Sequence, residues 1–284
     1  MKLAYSSNAY TQTTLPQALE SIKKLGFEGA EILCDHPHLF PGRANSREIT
    51  RLGGQLAALD LQISNLNVNT ANGYFDPLPP ENVFEPSLSS RNGQFREWRI
   101  GYTLEAIAIA ARLGASCISV TSGHPGSGGT PAQGLTLFVD SLKQISAAAE
   151  AQGVNVGIEY EPGLLVERAI EVAEVIDRVG SDRLGVNLDI GHSYLNGEPP
   201  EQPIRLLAGR IWNVHLEDIA GGKHYHLIPG EGEMPLARYL QALRSIDYDR
   251  FLTVELYTYA HMPELAGQRS YDYLRKLDGD ICHD

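Results

Sequence analysis

Cysteine, basic residues and long apolar runs are scarce in this chain of 284 residues, and each shortage excludes a class of protein. The three cysteines (Cys34, Cys117 and Cys282) are odd in number and follow no paired spacing. They predict incidental or buried thiols in a reducing cytoplasm, and no disulfide framework. No apolar run approaches the roughly 20 residues of a membrane span, and no apolar signal segment follows Met1, so neither membrane nor secretion is expected.

Positive charge is also in short supply. Lysine and arginine number 23 against 35 aspartates and glutamates, which gives a net charge of −12. Such a surface repels phosphate backbones, so we expect no nucleic-acid partner and favour a small-molecule substrate. The composition leaves a homo-oligomer open, and we expect the protein in the cytoplasm.

Eight short apolar runs of the kind found in buried parallel strands alternate with helical patterns along the chain. A clear apolar stripe with spacings of three and four runs from Leu135 to Ala149 and predicts one of the helices. No Gly-x-Gly-x-x-Gly motif opens the first helix, which disfavours an open doubly wound sheet. We therefore predict one α/β domain over residues 1–284, a single (β/α)8 TIM barrel. The predicted strands are 2–6, 29–33, 62–68, 116–121, 155–160, 184–190, 211–216 and 250–256.

One long segment, residues 72–98, breaks this rhythm after the third strand. It carries four prolines together with several large aromatic residues, among them Phe75, Phe84 and Trp98. Loops of this length in a compact domain are usually functional or disordered, and the aromatic residues favour a function. The sequence predicts a long loop that acts as a lid over the C-terminal mouth of the barrel.

Four consecutive strands end in an ionisable side chain of a metal-binding type. The residues are Glu159, Asp189, His215 and Glu255. Because strand side chains alternate between faces, each shares a face with a small or polar residue two positions earlier. In a closed parallel barrel this register places three carboxylates and one imidazole around a single mouth. The pattern predicts one divalent metal ion, with manganese favoured by the oxygen-rich set and Mg, Co or Zn as alternatives.

The motifs around these residues resemble those of the xylose-isomerase-like TIM barrels, which include sugar and inosose isomerases, ketose 3-epimerases and type IV apurinic endonucleases. The resemblance covers the whole barrel and is most specific between Asn155 and Tyr257. In the epimerase branch, Glu, Asp, His and Glu from strands five to eight bind one metal, and the matching positions here are the four strand ends. The motifs are I-E-Y-E-P-G (158–163), G-V-N-L-D-I-G-H (185–192), V-H-L-E-D (214–218), H-L-I-P-G-E-G (226–232) and V-E-L (254–256).

This resemblance implies a metal-dependent isomerase or epimerase acting on a small polyhydroxy carbonyl compound of the sugar or inosose type. Glu159 and Glu255 are predicted to be both metal ligands and the acid/base pair. A divalent cation would acidify the C–H bond beside the carbonyl and stabilise the enediolate. Glu161 lies on the same strand face as Glu159 and is the alternative ligand, because a register slip of two would exchange them.

Further positions are predicted to bind substrate, each with a structural alternative. His192 follows Asp189 by three residues and in the family reaches substrate oxygens or a second metal; His226 lies in the loop after the seventh strand. His224 is a weaker member of the same group. Arg99 is predicted to open the helix after the lid, where it would bind substrate or lie at the surface, and His124 to lie at the mouth of the fourth strand.

Other functions on the same barrel stay open. A nuclease would use G-V-N-L-D-I-G-H and His124-Pro125-Gly126-Ser127, but Asn67 and Asn69 stand where that branch carries a histidine. Metal-dependent dehydration or hydrolysis would use the same centre, since family membership fixes the scaffold and not the reaction. A non-catalytic metabolite-binding barrel is a further alternative, although such a protein would be expected to lose one of the four strand-end residues.

Overall fold

A computed structural model describes residues 1–283, with the side chains of residues 278 and 280–283 left undescribed, so Cys282 and His283 lie outside the described side chains. Eight parallel strands close into a barrel in sequence order. They are β1 Lys2–Ser6, β2 Gly29–Leu33, β3 Gln62–Asn67, β4 Cys117–Val120, β5 Asn155–Ile158, β6 Leu184–Asp189, β7 Ile211–Leu216 and β8 Phe251–Val254. The predicted (β/α)8 barrel, with its long loop after the third strand, is confirmed.

The helices lie between the strands and shield the barrel from solvent. They are α1 Leu15–Lys24, α2 Ser46–Ala58, α3 Gly93–Leu113, α4 Pro131–Gln152, α5 Ala169–Val179, α6 Ile190–Leu195, α7 Glu201–Leu206, α8 Leu236–Arg244 and α9 Pro263–His283. Asn45 caps α2 by accepting from the backbone N–H groups of Arg47 and Glu48 at 3.0 and 3.1 Å. α4 ends at Gly153 in the left-handed region, where glycine is free of the Cβ penalty.

Several boundaries differ from the sequence prediction. Five strands (β3, β4, β5, β6 and β8) end one or two residues earlier than predicted, so Glu159 and Glu255 lie one residue beyond β5 and β8. α3 begins at Gly93, which means that residues 93–98 of the predicted loop are helical. The prediction that Arg99 opens this helix is therefore wrong. The amide side chain of Asn92 starts the helix earlier, by accepting from Gln94 N at 3.0 Å.

The barrel interior below the mouth is a hydrogen-bonded polar layer. Asn213 donates to Asn187 at 2.8 Å, and Thr253 donates to Asn213 at 2.9 Å. Gly157 completes the layer, because a Cβ there would meet the backbone nitrogen of Asn187 at 2.6 Å. The small or polar residues two positions before the strand ends thus face the interior together, as their alternation predicts.

Among residues 1–283, no helix is both long and apolar enough to cross a bilayer. Cys34 and Cys117 are free thiols buried in the protein. Burial raises the pKa of Cys117 to about 12, which leaves its thiol protonated and unreactive at neutral pH.

Candidate metal centre

Four strand ends bring their side chains to one point at the C-terminal mouth. We call Glu159, Asp189, His215 and Glu255 the strand centre. One ligand atom from each lies within 4.8 Å of every other, and no member is more than 6% exposed. Parallel strands that end at the same barrel edge force this convergence, so the four residues meet although up to 96 positions separate them in sequence (255 − 159).

Asp189 is oriented by the helix that follows it. It caps α6, and its Oδ1 accepts from the backbone N–H of His192 at 2.8 Å. Its Oδ2 is buried and has no hydrogen-bond partner among the described residues. A buried carboxylate oxygen without a donor is costly, so this atom is suited to a cation.

His215 is held between a carboxylate behind it and the strand centre in front. Its Nε2 lies 2.6 Å from Oε2 of Glu31, a buried residue of β2. Its Nδ1 faces the centre, 3.1 Å from Glu159 Oε2 and 3.5 Å from Glu255 Oε2. A carboxylate that fixes the tautomer and orientation of a metal-binding histidine is a recurrent arrangement in metalloproteins.

Glu31 is the supporting residue that sequence reasoning missed. It accepts from Ser6 Oγ at 2.7 Å and from the side-chain amides of Asn65 and Asn67 at 2.7 and 3.1 Å. An acidic residue in the middle of the otherwise apolar strand Gly29–Leu33 was the available signal. Together with His215, Ser6 and the two asparagines give Glu31 four polar partners, so its carboxylate is part of a buried hydrogen-bond network.

The two carboxylate oxygens of Glu255 have different surroundings. Oε1 accepts from Asn8 Nδ2 at 2.8 Å and from Asn67 Nδ2 at 3.1 Å. Oε2 faces the imidazoles of His215 and His226, each at 3.5 Å. Asn67 thus orients this carboxylate.

The buried carboxylates of the strand centre favour a positive charge among them. Burial works against the charged form of His215, but the nearby carboxylates of Glu159, Glu255 and Glu31 raise the pKa of its imidazole well above the usual value. Burial, reinforced by the charge of Asp189, raises the pKa of the adjacent buried Glu217. A divalent cation among these groups would relieve both effects, and the oxygen-rich donor set with one imidazole fits such an ion.

Three histidines form a second group beside the strand centre. We call His192, His224 and His226 the histidine cluster; one ring nitrogen of each lies within 4.8 Å of the others. His192 lies in α6, while His224 and His226 lie in the loop after β7. A backbone bridge between Asp218 and Leu227 closes this loop. Burial lowers the pKa of His192 to about 3 and that of His226 to about 4, so both are neutral near pH 7.

A cavity of about 840 Å³ opens in front of both groups. Its wall includes Pro80, Asn82 and Phe84 from the loop after β3, so this part of the predicted lid lies at the mouth. Glu161 also lines the cavity, outside the strand centre, with its Oε1 3.9 Å from His224 Nδ1. The volume is within the range of small-molecule sites.

Two predicted substrate residues are placed elsewhere. Arg99 is buried in α3, and its guanidinium donates to the backbone carbonyls of Pro86 at 3.2 Å, Asn69 at 2.9 Å and Val68. It holds the loop after β3, and the prediction that it binds substrate or lies at the surface is corrected accordingly. His124 is exposed and contacts the ring of Phe84 edge-on, with centroids 5.7 Å apart, outside the cavity wall.

The closed parallel barrel, with carboxylates and a histidine gathered at its C-terminal mouth, places this protein in the class of α/β barrels that can hold a metal ion there. The family model described as xylose isomerase-like TIM barrel matches residues 19–277. The chain belongs to this family, as its motifs indicate.

Relatives within the family include sugar epimerases. The chain is 24% identical to fructoselysine 3-epimerase from Shigella flexneri over 282 residues, which are 98% of each protein. A D-tagatose 3-epimerase-like protein superposes with a TM-score of 0.82 at 22% identity, over 100% of this chain and 99% of that one. The IOLI protein, whose structure carries a zinc atom, gives 0.78 at 20% identity, over 99% and 98%. At these identities the structural likeness shows the fold.

Proposed function

We propose that this protein is a divalent-metal-dependent isomerase or epimerase of a small polyhydroxy carbonyl compound. The observation that carries the proposal is the strand centre, whose four buried ligand atoms lie within 4.8 Å of one another. The relationship to fructoselysine 3-epimerase over nearly the whole chain supports the same reaction type. All four residues would bind the metal, and two of them, Glu159 and Glu255, would also transfer the proton.

Glu159, Asp189, His215 and Glu255 would hold the metal, with manganese favoured by three carboxylates and one imidazole. The buried Oδ2 of Asp189 supports this assignment, since the imidazole nitrogens of His192 and His215 approach it only to 3.8 and 3.9 Å, beyond hydrogen-bond distance. When bound, the ion would polarise the substrate's carbonyl and hydroxyl oxygens and acidify the neighbouring C–H bond.

Glu255 and Glu159 are proposed as the acid/base pair. The amides of Asn8 and Asn67 hold Oε1 of Glu255, so Oε2 is the oxygen directed at the centre. Glu159 is fixed by the amide of Asn187. One carboxylate removes the proton beside the carbonyl to give an enediolate, and the other returns a proton, which inverts a carbon or moves the carbonyl.

The cavity wall is proposed to bind the rest of the substrate. His192, His226 and Glu161 offer polar groups for hydroxyl oxygens, and Phe84 supplies an apolar surface from the loop over the mouth. We propose that residues 1–284 form a single domain and that residues 72–92 act as a lid over the mouth of its barrel. Closure of such a loop excludes water from the enediolate.

Proton exchange with solvent tests this function directly. Purified protein is stripped with chelator, reloaded with Mn²⁺ and incubated in heavy water with ketoses, aldoses and inososes. We expect deuterium beside the carbonyl of at least one compound, and no exchange in the stripped protein. Absence of exchange across the panel would overturn the proposal and favour dehydration or hydrolysis on the same barrel.

A further inference from the structure

Two tyrosines stand at the rim of the cavity with much of each ring open to solvent. Tyr225 is 47% exposed and Tyr257 is 40% exposed, and both line the cavity wall. Tyr225 lies in the loop after β7 and Tyr257 lies just after β8, so two neighbouring loops of the barrel carry them. Exposed aromatic rings gathered at a concave surface mark a place where a ligand binds.

Contacts with the loop after β7 hold Tyr257 in place. Its ring packs edge-on against the imidazole of His226, with the ring centroids 4.7 Å apart. The next residue, Thr258, donates from its hydroxyl to the carbonyl oxygen of His226 at 2.9 Å. Since His226 is buried and Tyr257 is not, the tyrosine continues the wall from the floor of the cavity outward.

Phe84 lies on the other side of the opening. β3 and β7 are four strands apart in the closed barrel of eight, so the loops that follow them reach the cavity from opposite sides. The backbone of Phe84 has a φ of +49°, in the left-handed region that bulky residues rarely adopt. Residues held in such conformations gather at ligand sites, and Phe84 lines the cavity. Aromatic rings therefore border the opening from two sides.

The cavity is larger than the proposed reaction needs. Only its buried floor, with the strand centre, His192 and His226, is required to hold a carbonyl group and the hydroxyls beside it. The volume of about 840 Å³ lies in the upper part of the range, about 300–1,000 Å³, that holds drug-sized ligands. A monosaccharide bound at the floor leaves the space between the outer aromatic rings unfilled.

The cavity wall carries negative charge and no basic side chain. Among the described residues that line it there is neither a lysine nor an arginine, while five are carboxylates: Asp35, Glu81, Glu159, Glu161 and Glu255. A phosphate or carboxylate group on a ligand would meet no cationic side chain in this wall and would be repelled by its charge. A divalent ion would not reverse this, because the strand centre itself supplies three carboxylates.

We infer that Phe84, Tyr225 and Tyr257 form an outer subsite for a second, uncharged ring of the substrate. The inference rests on the proposed function and names its substrate class: a sugar conjugate such as a ketose disaccharide, without phosphate or carboxylate groups. The carbonyl end lies at the strand centre, so the second ring is attached toward the far end of the carbon chain. The C–H face of a sugar ring buries apolar surface against the tyrosine rings, while its hydroxyls keep their contact with water.

Equilibrium binding of a matched series of ketoses tests the outer subsite. The series keeps the fructose unit and changes its far end: D-fructose, the glucosyl-fructoses maltulose, leucrose and isomaltulose, and D-fructose 6-phosphate. Each compound is titrated calorimetrically into the Mn²⁺-loaded full-length protein. We expect at least one disaccharide to bind at least about fivefold more tightly than D-fructose, because contact with aromatic rings adds to its affinity. D-fructose 6-phosphate should bind more weakly than D-fructose.

Substitutions of Tyr225 connect this preference to the subsite. Tyr225→Ala should reduce the affinity for the preferred disaccharide about fivefold more than the affinity for D-fructose, whereas Tyr225→Phe keeps the ring and should keep the preference. Leu265→Ala is the control, because this exposed leucine of α9 lies outside the cavity wall; it should leave both affinities unchanged. Thermal unfolding of each variant checks that the barrel is intact.

Two results would overturn the subsite: no disaccharide that binds more tightly than D-fructose, or an unchanged preference in Tyr225→Ala. Tighter binding of D-fructose 6-phosphate than of D-fructose would overturn the exclusion of anionic groups. Because binding is measured at equilibrium, it is independent of the heavy-water exchange assay. A disaccharide that binds through Tyr225 without exchanging deuterium would refute the proposed reaction and leave the subsite standing. Exchange in D-fructose with no preference for a disaccharide would do the reverse.

Discussion

The strand centre and the histidine cluster are neighbours, but they are built on different parts of the fold. The strand centre stands at the ends of β5 to β8, with the amide of Asn187 from β6 on Glu159 and the amides of Asn8, just after β1, and Asn67, from β3, on Glu255. The histidine cluster stands on a short helix and a loop, and its tautomers are set by two backbone carbonyls. Strands fix the first group in position, while the second depends on how the loop after β7 folds.

This difference suggests a division of roles. Sites on rigid strands hold reacting groups more closely than sites on loops do, while loops vary the substrate. We therefore expect substitutions in the strand centre to reduce turnover and metal binding, and those around the cavity to change substrate affinity. Four substitutions, in order of decreasing effect, test this separation.

Glu255→Gln should have the largest effect. The amide keeps the side-chain shape but can neither take the substrate proton nor match the carboxylate's attraction for a cation, so kcat should fall about 10²–10⁴-fold. Deuterium uptake into substrate should be lost, while weak metal affinity survives through the other three ligands. Glu264→Gln, at an exposed position in α9, is the control. Near-normal activity of Glu255→Gln would exclude this residue as the base.

Glu31→Gln should have the next largest effect, on metal affinity. The substitution removes the carboxylate that lies 2.6 Å from His215 Nε2. The tautomer and orientation of His215 are then less well fixed, which typically weakens metal binding about 10–100-fold. Saturating metal should restore much of kcat, because Glu31 positions another residue and does not itself face the cavity. Calorimetric titration measures the affinity, with the exposed Glu28→Gln as control. An unchanged affinity would show that His215 needs no support from β2.

The same contrast explains what the sequence could predict. The four members of the strand centre were identified because strand alternation and the closure of a parallel barrel fix where such residues point. Glu31 was missed because its pairing with His215 crosses the barrel, and no local pattern specifies contacts between residues 184 positions apart. Family resemblance named the same four residues independently.

Loop positions were predicted less well, for a physical reason. Arg99 was expected at a helix start, but α3 begins six residues earlier and buries its guanidinium among three loop carbonyls. His224 was given a minor part, yet its Nε2 lies between those of His192 and His226. Neither placement follows from residue spacing, because loop conformation is decided by tertiary contacts such as those of Asp218 with Ile219, Gly230 and Met234.

Phe84→Ala should have a smaller effect, and this effect should be on substrate binding. Removing this ring from the cavity wall takes away apolar contact with substrate, so KM should rise several-fold with kcat and metal affinity little changed. Steady-state kinetics on a substrate found by the exchange screen measures the split. Phe75→Ala, in the same loop but outside the cavity wall, is the control. A large loss of kcat with unchanged KM would contradict a binding role.

Glu161→Gln should have the smallest effect of the four substitutions, and it decides between two carboxylates that strand register leaves equivalent. Glu161 lies at the cavity wall, with its Oε1 3.9 Å from His224 Nδ1, while Glu159 lies within the strand centre. Calorimetric Mn²⁺ affinity should change by no more than about twofold in Glu161→Gln, since only a screened, longer-range attraction is lost. Glu159→Gln removes a direct ligand and should lower the affinity at least about tenfold. KM should rise in Glu161→Gln, because an acceptor for substrate hydroxyls is weakened. If Glu161→Gln lost the metal and Glu159→Gln kept it, the ligand would be Glu161, and the boundary between the strand centre and the cavity wall would have to be redrawn.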